Sequence, residues 1–67
     1  MIVVQLRELA EERRLSVRDI SERAQLPYNT VLSFYRGSIS RVTFDVLDKI
    51  CKAIEAQPGD LLRYMEV

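Results

Sequence analysis

Apolar residues fall along this chain at helical spacing in separate runs, and polar or helix-breaking residues divide one run from the next. Leu6, Leu9 and Ala10, with Arg13 adding its aliphatic stem, recur three and four apart. Residues from about Val4 to Arg14 are therefore predicted as a first amphipathic helix with Glu8 and Glu12 outward. Ser16 offers a side-chain oxygen as N-cap, and Asp19 stands three residues on in the reciprocal position, a variant of the capping box that more often holds Glu or Gln. A second helix is expected from Val17 to about Ala24. It carries Val17, Ile20 and Ala24 on one face, with the small Ser21 beside them where another helix can come close.

Pro27 lacks an N–H and clashes one turn back, so it cannot prolong that helix, although the first turn of a new one accepts it. Gln25, Leu26 and Pro27 read as a tight turn. Val31, Leu32, Phe34 and Tyr35 then define a third helix from about Tyr28 to Arg36, stopped by Gly37, which is suited to a left-handed C-cap. Residues 38–42 read as a polar connection, and Thr43 caps a fourth helix whose buried stripe is predicted as Phe44, Leu47, Ile50, Cys51 and Ile54, with Lys49 and Lys52 outside it. Pro58 and Gly59 break the chain again, and residues 58–62 are expected to form a last helical turn that plugs the core with Leu61 and Leu62. Met1 to Val4 is partly β-branched and residues 63–67 alternate charged with apolar, so the two ends are expected to pair as a short β-ribbon.

These elements make one all-α domain over residues 1–67. A chain of this length buries only about 60% of the surface its unfolded form exposes, so the core is small. Hydrophobic residues at 48% against 30% charged place it among globular rather than disordered chains. No apolar run approaches the roughly 20 residues needed to span a bilayer, and the N-terminus lacks the layout of a secretory signal, so a cytoplasmic protein without membrane contact is expected. With one cysteine, Cys51, and no histidine, a disulfide, a zinc site and a histidine base are all missing their residues. No Gly-rich phosphate loop is present either. Neither an enzyme nor a cofactor, metal or small-molecule ligand is expected.

The formal net charge is zero, which by itself disfavours nucleic acid, because phosphate neutralisation by Lys and Arg supplies most non-specific affinity. The distribution changes the picture. Between Ala24 and Phe44 there is no Asp or Glu, while Arg36 and Arg41 lie inside that window and Arg23 borders it. The carboxylates gather early, at Glu8, Glu11 and Glu12, and late, at Asp45, Asp48, Glu55, Asp60 and Glu66. A locally cationic middle third suits an anion-facing surface.

Two short helices, Val17 to Ala24 and Tyr28 to Arg36, joined by three residues, have the brevity of a helix-turn-helix corner. Residues 15–37, LSVRDISERAQLPYNTVLSFYRG, resemble the helix-turn-helix of the Cro and phage-repressor type, also called the XRE family. Residues 43–54, TFDVLDKICKAI, and 57–62, QPGDLL, are similar to that family's fourth and fifth helices. The resemblance implies a five-helix, lambda repressor-like DNA-binding domain of bacterial or phage type. Three positions depart from the pattern. Val17 stands where the family often has a phosphate-touching Gln, Gln25 fills a turn position usually given to Gly, and Ser21 replaces the usual Ala. A left-handed Gln25 would cost about 1 kcal/mol or more, and the Val17 contact would pass to Ser16 or Arg18.

By the family's geometry the third helix enters the major groove with its N-terminal residues against base edges. Tyr28, Asn29, Thr30, Leu32 and Ser33 would be the base readers there. Asn29 can bond adenine bidentately, and Tyr28 or Leu32 can cover a thymine methyl. Ser16, Arg18, Arg36, Ser38, Ser40, Arg41 and Thr43 would meet phosphates, which sets register without reading sequence. The resemblance thus implies a sequence-specific transcriptional regulator, a repressor, with double-stranded DNA as partner. One copy reads too little DNA to be selective, so a homodimer is expected, joined through the apolar residues left at the ends: Met1, Ile2, Val3, Tyr64, Met65 and Val67. The alternative is a protein-interaction module or antitoxin-like partner that keeps the fold without DNA, favoured by the zero net charge, by Val17, and by Leu32 and Tyr35 as exposed hydrophobes on the third helix.

Overall fold

The structure is a computed structural model that describes residues 1–66. Among them five helices follow one another: α1 (Leu6–Glu12), α2 (Val17–Ala24), α3 (Tyr28–Arg36), α4 (Phe44–Ile54) and α5 (Pro58–Leu61). Strands β1 (Ile2–Val4) and β2 (Leu62–Tyr64) enclose them. α4, the longest helix, has 11 residues, and no described helix is long and apolar enough to cross a membrane.

The helices pack around Leu6, Ala10, Ile20, Val31, Phe34, Ile50, Ile54 and Leu61, all at most 1% exposed. Each of the five helices contributes at least one of these side chains, so the apolar stripes read from the sequence converge on one centre. α2 packs against both α3 and α4. The predicted capping box at its start is present. The Asp19 N–H donates to Ser16 Oγ at 3.1 Å, and the Ser16 N–H donates to the Asp19 carboxylate at 3.0 Å. Thr43 Oγ1 accepts from the Val46 N–H at 3.2 Å and caps α4 as expected.

α1 to α4 all stop in the same way. A residue in the left-handed conformation follows each helix, and the next N–H reaches back five residues to a helix carbonyl: Leu15 to Ala10, Leu26 to Ser21, Ser38 to Ser33 and Ala56 to Cys51, at 2.8–3.1 Å. This is the Schellman arrangement, and it satisfies carbonyls that a helix end leaves without partners. Leu15, Leu26 and Ala56 also pack on the core, which makes each stop a hydrophobic anchor. Gly37 occupies one left-handed position at φ 71°, but Arg14, Gln25 and Glu55 hold the others at φ 55–56°. Such residues carry a Cβ penalty of about 1–2 kcal/mol, partly offset because Gly is more disordered when unfolded. Arg14→Gly, Gln25→Gly and Glu55→Gly are therefore each expected to stabilise the domain by about 0.5–1 kcal/mol, and thermal unfolding should show Tm rising by a few degrees per substitution. A lower Tm would mean that the side chains contribute more than their backbone strain costs.

The ends pair as the predicted ribbon. β1 and β2 are antiparallel, with Ile2 opposite Tyr64, Val3 opposite Arg63 and Val4 opposite Leu62. The Met65 N–H donates to the Met1 carbonyl at 2.8 Å, and the terminal ammonium donates to the Met65 carbonyl at 2.6 Å. Val67 lies outside the described residues.

Several boundaries and faces differ from expectation. α1 is shorter than 4–14 because Val4 is held in β1 and the chain turns left-handed at Arg14. Arg13 is exposed rather than packed through its stem. Leu61 plugs the core, but Leu62 begins β2 and is half-buried. Phe44 does not join the buried stripe of α4: it is 87% exposed. At 100° per residue, Val46, Ile50, Ala53 and Ile54 group on one side of that helix, and Phe44 projects roughly opposite to them, in line with Asp48, Cys51 and Glu55.

Candidate nucleic-acid interface

The α2–α3 corner rests on three local choices. Ser21 is 8% exposed at the packed side of α2 and turns its hydroxyl back to the Arg18 carbonyl at 2.9 Å, so a polar atom is satisfied there without needing a partner helix. Gln25 adopts the left-handed conformation that the turn requires, φ 56° and ψ 43°. Pro27 then sits as the N-cap of α3 with an extended ψ of 142°, and its carbonyl accepts from the Val31 N–H at 3.2 Å.

Val31 and Phe34 fix the inward side of α3. Helical spacing places Asn29, Ser33 and Arg36 on the opposite side, one turn apart from one another. Asn29 and Arg36 are exposed, Ser33 is half-buried, and Tyr28, 48% exposed, stands at the edge of the helix start. Thr30 and Leu32 flank this row and are half-buried. Leu32 and Tyr35 are not the exposed hydrophobes that the alternative reading needed: both are half-buried, and Tyr35 packs against the core. The first turn of α3 carries no acidic residue, and Arg36 lies in its last turn.

The segment after α3 continues the same surface. Ser38, Ser40, Arg41 and Thr43 are exposed, as is Arg18 on α2. Ile39 among them is half-buried and packs on the core. The polar connection expected over residues 38–42 therefore contains an apolar anchor. Its signal was one branched apolar residue between two serines, and its effect is to tether Ser40 and Arg41 beside α3. Asp45 is the first carboxylate beyond the acid-free window, and Lys49 pairs with it at 3.3 Å.

The predicted phosphate-facing hydroxyls are not equivalent. Ser16 Oγ and Thr43 Oγ1 accept helix N–H groups as caps; the Thr43 hydroxyl proton is left for an outside acceptor, whereas that of Ser16 is shared with the Asp19 carboxylate. The Ser38 hydroxyl donates to the Ser33 carbonyl at 3.3 Å, so its proton points inward. Ser40 has neither role. Arg18, Arg36 and Arg41 supply the charge.

The cap at Ser16 has a pH signature. The backbone N–H of Ser16, and secondarily its hydroxyl, hold the Asp19 carboxyl below the usual carboxylate range. Its folded pKa is lower than its unfolded one, so the stabilisation is fully present above about pH 4 and is lost as pH falls through the folded value. Asp19→Asn should therefore lower Tm at pH 7 and converge with the unsubstituted chain in strong acid. An unchanged gap at both pH values would remove Asp19 ionisation from the cap.

Comparison with known proteins agrees with this architecture. The sequence model of the Cro/C1-type HTH DNA-binding domain matches residues 5–66, and the chain belongs to that family of helix-turn-helix DNA-binding domains. Among individual relatives it is similar to YozG of Bacillus subtilis (strain 168), an uncharacterized HTH-type transcriptional regulator. The two are 32% identical over 63 residues, which is 94% of this chain and 75% of YozG. Its fold matches the crystal structure of a Bacteroides fragilis protein provisionally described as DNA-binding, with TM-score 0.78 and 19% identity. That match covers 94% of this chain and all of the other.

Proposed function

We propose that this domain binds double-stranded DNA sequence-specifically as a homodimer, lays α3 in the major groove, and represses transcription by occupying its site. The observation that carries the reading is the carboxylate-free surface formed by Asn29, Ser33 and Arg36 on α3 together with Arg41 in the following loop, opposite the buried Val31 and Phe34. An α-helix fits the major groove of B-DNA, and Asn pairs bidentately with adenine there. Tyr28, Thr30 and Leu32 flank that row as further base-edge contacts. Arg18, Arg36 and Arg41, with the Ser16, Ser40 and Thr43 hydroxyls, meet the phosphates that fix its register. Repression is the simplest outcome of such binding, because a domain standing on its site excludes other proteins from that stretch of duplex.

Dimerisation through the chain ends has its own support. Ile2, Tyr64 and Met1 are 62–67% exposed and Met65 49%, close together on the ribbon, with Val3 half-buried among them. Met1 and Met65 exchange both hydrogen bonds. The antiparallel alternation then makes Ile2 and Tyr64 a non-bonded pair, so the backbone groups of Tyr64 face away from β1 and are free for a second strand. Two protomers joined there would present two α3 helices to half-sites about 34 Å apart.

Titration of the isotope-labelled protein with a random-sequence duplex at low salt tests the reading. The expected result is movement of the Asn29, Thr30 and Arg41 amide signals, with selected sites showing half-sites one helical turn apart. Unmoved signals at those three positions would leave the fold without its DNA role.

A further inference from the structure

Phe44 is the most exposed large hydrophobic side chain in the structure, at 87%, and it does not stand alone. It lies at one end of a groove along the outer side of α4, whose apolar floor continues through the half-buried Leu47 and Cys51 toward the start of α5. Three carboxylates, Asp45, Asp48 and Glu55, line the same groove against one ammonium, Lys52. On the adjoining surface Lys49 pairs with Asp45 and Arg23 stands with Asp48 and Glu55, while Asp60 faces Cys51 from α5, so four carboxylates meet three cations and one carboxylate remains in excess. This side of the molecule is therefore apolar in its floor and anionic in its rim, the reverse of the carboxylate-free α3 surface.

We infer that the α4 groove is a second binding site, for an amphipathic protein segment whose apolar residues seat against Phe44, Leu47 and Cys51 and whose Lys or Arg residues meet Asp45, Asp48 and Glu55. The charge selects this occupant over the others the groove could take. DNA is repelled by the rim. A second copy of the chain, docked face to face, would bring the same carboxylate excess against itself. A helix with an apolar stripe and cationic flanks matches both features, because a groove of this kind takes side chains spaced three and four apart, and complementary charge raises the encounter rate and discriminates among partners. Because Phe44 makes so few contacts in the isolated fold, its exposure is tolerated without being needed for packing.

The test uses the full chain and two synthetic helical peptides of identical apolar stripe, one flanked by lysines and one by glutamates, followed by amide-signal titration and calorimetry. The lysine-flanked peptide is expected to shift the signals of Phe44, Leu47, Cys51 and Ala56. Phe44→Ala should weaken that binding at least about tenfold, as for a buried aromatic anchor, while leaving Tm and DNA binding unchanged. The triple variant Asp45→Asn, Asp48→Asn, Glu55→Gln should remove the preference for lysine flanks and the salt dependence. Equal binding of the glutamate-flanked peptide, or signals that move only elsewhere, would overturn the proposal. So would sedimentation showing a dimer that Phe44→Ala dissociates, since the occupant would then be a second copy. Loss of DNA binding by a variant in α3, with peptide binding retained, would leave this site standing apart from the DNA reading.

Discussion

Phe34→Ala is expected to leave the domain largely unfolded at ambient temperature or close to it. Phe34 is the largest fully buried side chain, 1% exposed, and sits in the cluster with Leu6, Ile20, Val31, Ile50, Ile54 and Leu61. Truncating a buried Phe to Ala costs about 3–5 kcal/mol, the transfer term plus the cavity left behind. A domain of this length has only roughly 3–10 kcal/mol in total at the usual stability per residue. The expected loss is therefore at least about three-tenths of the total, and thermal unfolding followed by circular dichroism should show Tm falling by more than about 10 °C. Any DNA affinity should disappear with the fold, because Phe34 touches the core and not the outward side of α3. Phe34→Leu, which keeps most of the volume, should retain both. A Tm drop of only a few degrees in the alanine variant would show that the core collapses around the gap and that α3 is held by other contacts.

The second large effect separates reading from anchoring. Asn29→Ala should cost about 1–3 kcal/mol at each half-site on the preferred sequence and little on random DNA, so the ratio of specific to non-specific affinity falls. Arg41→Ala should weaken binding to every sequence alike. In a dimer it should flatten the plot of log affinity against log salt by roughly 2, about 0.9 for each lost phosphate contact. The two outcomes are opposite in kind, which makes the assignment testable without a structure of the complex. If Asn29→Ala changed the salt slope and Arg41→Ala changed the preferred sequence, the two roles would be interchanged. Both residues are exposed, so neither substitution should move Tm by more than a degree or two, and a loss of folding cannot stand in for a loss of binding.

Much of the architecture was legible from neighbours close along the chain. Helices α2 and α3 begin and end where Ser16, Asp19, Pro27 and Gly37 imply, because capping and the missing N–H of proline act within four residues and leave direct marks in the sequence. The inward faces of α2 and α3 followed from the spacing of Ile20, Ala24, Val31 and Phe34. The candidate interface was legible to the same extent, since an acid-free window and the polar residues on one side of a short helix are both properties of local order. Expectation failed where a residue lay at the end of its pattern. Phe44 is three before Leu47, which spacing alone assigns to one stripe, but three residues turn a helix by only 300°, and the drift carries that first position round to the far side.

Sequence by itself determined five helical segments, the stops between them and the absence of carboxylates from residues 24–44, since each depends on residues within a turn or two of one another. Tertiary structure decided which apolar side chains had a neighbour to cover them. It left Leu62 half-buried and Phe44 outside, drew Ile39 in to hold the loop beside α3, and fixed the register of the terminal ribbon. Burial is a relation between distant segments, and the area a side chain loses to water depends on what packs over it, which no local spacing records.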